Sequence, residues 1–214
     1  MSPETATTAA RVPRSIASPI LRLRFTILFL AVMLGANLAA GTLGHALPAQ
    51  ILADWGIGHD TLFSGEVFRL ITGTFLSHDG DMFLRQFGFA AVVIGYTEWR
   101  LGAARAAAWF FGLDIATTLL LLGCVELSTA LHDLAAVNDV GMSLGGFGLI
   151  GMTIAGWHAK WFICGAILLA IGAKFCVAPD LLADAGHVLA LLVGLASGSI
   201  LPKPGTAGAV CHGR

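Results

Sequence analysis

Ser143 sits in a glycine-bracketed stretch, Asp139-Val140-Gly141-Met142-Ser143-Leu144-Gly145-Gly146-Phe147-Gly148. As a bare pattern this is G-x-S-x-G, which in soluble α/β-hydrolases marks a strained turn between a strand and a helix. A serine hydroxyl is a weak nucleophile until a base takes its proton, and an imidazole, with an ordinary pKa of about 6.5, suits that task near neutral pH. His187 is the candidate base. An oxyanion formed by attack needs preorganised donors, each contributing about 3–4 kcal/mol in a water-poor site. The Gln86 amide and the unpaired backbone N–H groups that open a helix are the candidates. The same residues also fit a structural role, with Ser143 bonding its own i−4 carbonyl and His187 making an interhelical polar contact. The elements that carry them must decide.

Those elements are apolar. Of the 214 residues, 57% are apolar and 12% charged, about half the charged share of an ordinary soluble domain, so the chain reads as an all-α membrane protein. Long apolar runs also exclude the alternating strands and helices of a soluble α/β-hydrolase. The formal net charge of -1 gives no field that would draw nucleic acid. Cys124, Cys164, Cys176 and Cys211 have no ligand-like spacing and read as small packing residues. His45, His59, His132, His158 and His212 fall in loops as solvated histidines, and no metal or cofactor is expected.

Apolar segments run over Phe25–Ala46, Met82–Tyr96, Ala104–Val125, Met142–Trp157, Trp161–Val177 and Leu182–Leu201. At about 1.5 Å per residue the longer ones can cross a hydrocarbon core of about 30 Å, and the short ones would be buried among neighbours or open onto a water-filled cavity. The expectation is six spans over residues 22–201, with cytoplasmic tails at 1–21 and 202–214. Between the first two spans, Leu47–Gly80 reads as a long outer loop with interfacial helices. With the N-terminus inside, Arg11, Arg14, Arg22, Arg24, Arg100, Arg105, Lys160, Lys203 and Arg214 fall on the cytoplasmic side, leaving Arg69 and Lys174 outside.

In that topology Ser143 opens the fourth span, His187 lies one to two turns into the sixth, and Met82 and Gln86 start the second, all from the outer side. A hydroxyl, an imidazole and an amide thus share one layer. Gly186, Ala190, Gly194 and Gly198 form a small-residue stripe on the sixth span, while Gly141, Gly145, Gly148 and Gly151 keep the fourth thin, so the two can approach closely. Phe147, one turn below Ser143, is placed to pack against the imidazole. Asp114 and Arg85 are ionisable residues at membrane depth, expected as structural polar contacts or, for Arg85, as a contact with an associated subunit.

Together these residues resemble the rhomboid intramembrane serine proteases over about Glu66 to Leu201. Val140 to Gly151 is similar to the family's V-G-x-S-x-x-x-F/Y-G-x-x-G pattern, with Ser143 as nucleophile and Phe147 at the aromatic position. Gly186 to Gly194 resembles its G/A-H-x-x-G-x-x-x-G pattern, with His187 as base and Ala190 in place of a packing glycine. Phe68-Arg69 stands where the family has Trp-Arg, and Glu98-Trp99-Arg100 matches its Glu-x-Arg motif. The resemblance implies a six-transmembrane-helix bundle and a Ser/His-dyad endopeptidase cutting transmembrane substrates near the outer face. The family's oxyanion pair of His and Asn corresponds to Met82 and Gln86, and the glycine after its nucleophile to Leu144. Met82 cannot donate, and a branched Leu144 would narrow access to the hydroxyl or tilt it.

Two functions remain open on the sequence. One is an active protease with a transmembrane protein as substrate. The other is a weak or inactive pseudoprotease acting as a helix-binding scaffold or as a subunit of a membrane complex. Either is expected as an integral multi-pass protein of a lipid bilayer, a bacterial inner membrane, with both termini cytoplasmic. Glu98 and Arg100 are expected to brace the second and third spans by bonding each other, with Arg69 and Gly194 as further structural motif residues, while Gly141, Leu144 and Phe147 join Gln86 and Met82 as oxyanion or substrate-site candidates.

Overall fold

The computed structural model describes residues 19–200. Arg11, Arg14, Lys203, Cys211, His212 and Arg214, and with them most of both expected tails, lie outside the described residues, as does the His132 side chain. The elements are α1 (Pro19–Arg22), α2 (Arg24–Ala40), α3 (Ala49–Trp55), α4 (His59–Phe63), α5 (Arg69–Thr72), α6 (Gly80–Leu101), α7 (Ala103–Leu127), α8 (Ser143–Ile154), α9 (Lys160–Val177) and α10 (Leu181–Ile200), with 3-10 turns at Gly73–Phe75 and Thr129–Leu134. The fold is all-α. Extended pairing among the described residues is confined to one antiparallel bridge between Ile57 and Asp139.

Among the described residues three helices, α7, α9 and α10, are long and apolar enough to cross a membrane. That is fewer than the six expected, for reasons local to each remaining run. The Phe25–Ala46 run stops as a helix at Ala40, because Gly41 turns left-handed at φ 76° and Thr42 folds its N–H and hydroxyl back onto Asn37. α6 starts earlier than the apolar run, since the Asp79 carboxylate caps it by accepting the Met82 N–H at 2.7 Å. It has 22 residues, but they include Asp81, Arg85, Glu98 and Arg100. α8 has only 12 residues, or about 18 Å of helix, and is enclosed by α7 and α10.

The main core joins α2, α6, α7 and α8 through Phe29, Met33, Ile94, Phe110, Met142 and Leu149. Phe29 and Phe110 meet edge to face with centroids 4.9 Å apart, a geometry that adds about 0.5–1.5 kcal/mol to simple burial. Glu98 departs from its expected pairing with Arg100. Its carboxylate accepts the Phe25 N–H, the Thr26 N–H and the Thr26 hydroxyl at 2.9, 2.8 and 2.7 Å, so it caps the start of α2. A buried carboxylate needs such donors, and the first turn of a helix has them unpaired. Arg100 instead reaches the Tyr96 hydroxyl at 3.1 Å.

α8 crosses α10 at backbone contact. A Cβ at Gly194 would press on the Gly148 carbonyl oxygen, one at Gly198 on that of Met152, and one at Gly151 on that of Leu191. Gly145 and Gly148 also face α7, where added Cβ atoms would lie 2.7 Å from the Phe110 ring and 2.8 Å from the Leu113 Cβ. The small-residue stripes are therefore crossing points. α9 is peripheral, with Cys164 its buried residue, whereas Cys124 and Cys176 are exposed rather than packed as expected.

Candidate active site

The chain enters α8 through a pinned segment. Asp139 exchanges both backbone bonds with Ile57 at 3.0 and 2.9 Å, and the Gly141 N–H reaches the Gly73 carbonyl at 2.9 Å. Gly141 has φ +133°, a conformation that a side chain would strain. Met142 follows at the N-cap without a side-chain acceptor, and the cap comes from another helix. Buried Asp114 of α7 accepts the Gly145 N–H at 2.8 Å through Oδ1 and the Thr74 hydroxyl at 3.1 Å through Oδ2. Gly146 N–H bonds the Met142 carbonyl at 3.1 Å, while the N–H groups of Ser143 and Leu144 have no partner among the described residues.

Ser143 is the first residue of α8 and His187 lies in the first third of α10. The close crossing at Gly148 and Gly194 carries the two side chains together, with His187 Nε2 2.9 Å from Ser143 Oγ. In this geometry the hydroxyl can donate to a neutral imidazole, the arrangement needed for base-assisted attack. Phe147 stacks on the imidazole with centroids 4.5 Å apart and planes 27° apart, and its other neighbour is Phe89 at 5.5 Å. His187 Nδ1 has no hydrogen-bond partner among the described residues, so the ring is oriented by stacking.

Gln86 is buried and accepts the Ser77 hydroxyl at 3.1 Å through its amide oxygen. Its amide nitrogen lies against Gly141, so close that a Cβ there would collide with it, and it is without an acceptor among the described residues. The Met82 Cε abuts the same glycine at 3.1 Å from a built Cβ, and its sulfur accepts the His78 N–H at 3.3 Å. Leu144 turns toward α10, where its Cδ2 stands 2.8 Å from the position of a Cβ at Gly186. The missing side chain at Gly186 leaves room for Leu144 without separating Ser143 from His187. Leu144 also lines a cavity of about 50 Å³ beside Ser143, together with Thr74, Asp114, Thr118 and Leu182.

No protein-family model matches the chain, and the curated proteins yield no match either. The geometry therefore stands on its own.

Other residues singled out in the sequence lie elsewhere. Arg69 donates to the carbonyls of Ala53 and Gly56 and pairs with Glu66, holding the long loop together. Arg85 is exposed, with no ionic partner among the described residues. His45 and His158 are exposed. His59 is buried, contrary to the expectation of a solvated residue, because its Nδ1 meets Asp60 at 2.9 Å and its Nε2 meets Glu126 at 2.6 Å. The hydrogen bond to Asp60, reinforced by Glu126, raises its pKa above the ordinary value against the opposing effect of burial.

His78 extends the site in a way that spacing alone does not reveal. Its Nε2 lies 2.9 Å from Asp139 Oδ1, which also accepts the Val140 N–H at 2.8 Å. The bond to Asp139 raises the His78 pKa. The loop before α6 is thereby latched to the segment leading into Ser143. Asp114 carried a signal, a carboxylate in an apolar run, but not the identity of its partner.

Proposed function

We propose that the chain is a rhomboid-like intramembrane serine endopeptidase, a six-span protein of a bacterial inner membrane with both termini cytoplasmic and its site near the outer face. The observation that carries this reading is the 2.9 Å contact between Ser143 Oγ and His187 Nε2 at the opening turn of an enclosed helix. Ser143 Oγ attacks the carbonyl carbon of a locally unwound transmembrane substrate, and its proton passes to His187 Nε2. The oxyanion is held by the free N–H groups of Ser143 and Leu144 together with the Gln86 amide. His187 then protonates the leaving amine, and water, deprotonated by the same ring, releases the acyl group. Three helices of spanning length and apolarity support the membrane setting. The shorter α2 and α8 and the polar α6 complete the six spans of this reading, and the arginine and lysine distribution sets the orientation.

A second reading, a non-catalytic scaffold that binds transmembrane helices or joins a membrane complex, draws on Met82. Its sulfur is already occupied by the His78 N–H and offers no proton to an oxyanion. Labelling of the purified chain with a fluorophosphonate probe, together with cleavage of single-span substrates in proteoliposomes, separates the two. The protease reading expects labelling and cleavage that vanish in Ser143→Ala and His187→Ala. Cleavage that persists in Ser143→Ala, or no labelling of the unmodified chain, refutes it.

A further inference from the structure

The dyad leaves one charge unaccounted for. The Asp184 side chain is 7% exposed and lies one turn before His187 on α10. Residues three apart are neighbours on a helix face, so Asp184 and His187 share one face of α10. Oδ2 of Asp184 is engaged by Lys174 Nζ of α9 at 2.9 Å and by the Asp180 N–H at 3.2 Å. Oδ1 is buried with no hydrogen-bond partner among the described residues. A buried, half-satisfied carboxylate is costly, and the group beside it that becomes positive during the reaction is His187.

The charged groups that face the imidazole are Asp184, Lys174, Asp139 and Asp180. Two of these carboxylates have other tasks. Asp139 is bonded to His78 and the Val140 N–H, and Asp180 caps α10 by accepting the Ala183 N–H at 3.1 Å. Among these three carboxylates, Asp184 is the one with a buried oxygen left over.

We propose that Asp184 is a positioning residue that stabilises the His187 imidazolium in the transition state, with Lys174 moderating its strength. This role rests on the proposed protease function. When Ser143 Oγ bonds to the carbonyl carbon, its proton moves to His187 Nε2 and the ring gains a positive charge. The proton is not relayed to Asp184; the imidazolium passes it to the leaving amine. The site is thus an electrostatic triad without a His–Asp hydrogen bond, in which Phe147 orients the ring and Asp184 supplies the field.

The test uses the full chain in detergent, reading the fluorophosphonate labelling rate together with kcat and KM on a single-span substrate. Asp184→Asn keeps the shape and removes the charge, and is expected to lower the labelling rate and kcat by about tenfold to a hundredfold with KM within about twofold. Asp184→Glu restores most of the loss. Lys174→Met removes the competing cation and is expected to raise kcat by about two- to fivefold. A pair that merely ties α9 to α10 predicts the opposite for lysine, since either substitution breaks the tie. Loss in both Asp184→Asn and Lys174→Met, or no loss in Asp184→Asn, overturns the role. Should Asp184→Asn not fold, Lys174→Met decides alone, a rise supporting the role and an unchanged or lower rate overturning it. If the unmodified chain is not labelled, the protease function itself falls and this role with it, a result distinct from a labelled chain indifferent to Asp184.

Discussion

Replacing Gly194 by alanine tests whether the site depends on the crossing of α8 and α10. A Cβ at position 194 presses on the Gly148 carbonyl oxygen and stands 2.8 Å from the Gly148 carbonyl carbon and 2.9 Å from the Met152 nitrogen. These are backbone atoms of a buried helix and cannot swing aside. Restoring an ordinary contact of about 3.4 Å therefore requires α10 to withdraw by more than half an ångström. His187 lies two turns along the same rigid helix, so its 2.9 Å bond to Ser143 stretches to or past the limit of a hydrogen bond near 3.5 Å. Overpacking of this kind costs about 1–3 kcal/mol, and a misplacement near 1 Å about a hundredfold in rate. The assay pairs thermal unfolding in detergent with the fluorophosphonate labelling rate, and Gly172→Ala on α9 is the control. A Cβ at 172 meets nothing within 4 Å, so that substitution leaves labelling unchanged and stability equal or up to about 1 kcal/mol higher. If Gly194→Ala retains both the melting temperature and the labelling rate of the unmodified chain, the crossing does not set the site.

Further outcomes are expected elsewhere. Gln86→Leu removes the amide beside Gly141 and lowers kcat by about 10²–10³ with little change in KM, whereas Met82→His adds a donor at the same glycine and raises kcat; equal rates in both variants would exclude an oxyanion role for this face of α6. Glu98→Ala strands three donors at the start of α2 and costs about 3 kcal/mol, read as a lower unfolding midpoint, while Arg100→Ala leaves the midpoint nearly unchanged. His78 gains its raised pKa from Asp139, so the latch stabilises the fold fully below the unfolded value of about 6.5 and loses that contribution as pH rises through the higher folded value. The melting-temperature deficit of His78→Gln is therefore largest below the unfolded value of about 6.5 and closes as pH rises through the higher folded value; a deficit that grows with pH contradicts the assignment.

Composition and the lengths of the apolar runs determined the helical fold class and the apolar elements, because burial of apolar surface and satisfaction of backbone polar groups act on local sequence. Residue type and spacing likewise singled out Ser143, His187, Gln86 and the glycine stripes, since a nucleophile, a base, an amide donor and small packing residues each have few chemical substitutes. The tertiary structure decided which donors and acceptors meet. Glu98 is two residues from Arg100 yet caps α2, some seventy residues away along the chain, because a buried carboxylate is better satisfied by an open helix turn than by an exposed guanidinium. Leu144 looked obstructive beside the nucleophile, but the space that accommodates it belongs to Gly186 on another helix. The absence of a self-made cap on α8 is visible at Met142, whereas its replacement by Asp114 of α7 is not. The cause is the same in each case: hydrogen bonding and steric fit at a crossing are set by pairs of residues distant in sequence, and no local pattern encodes the identity of the partner.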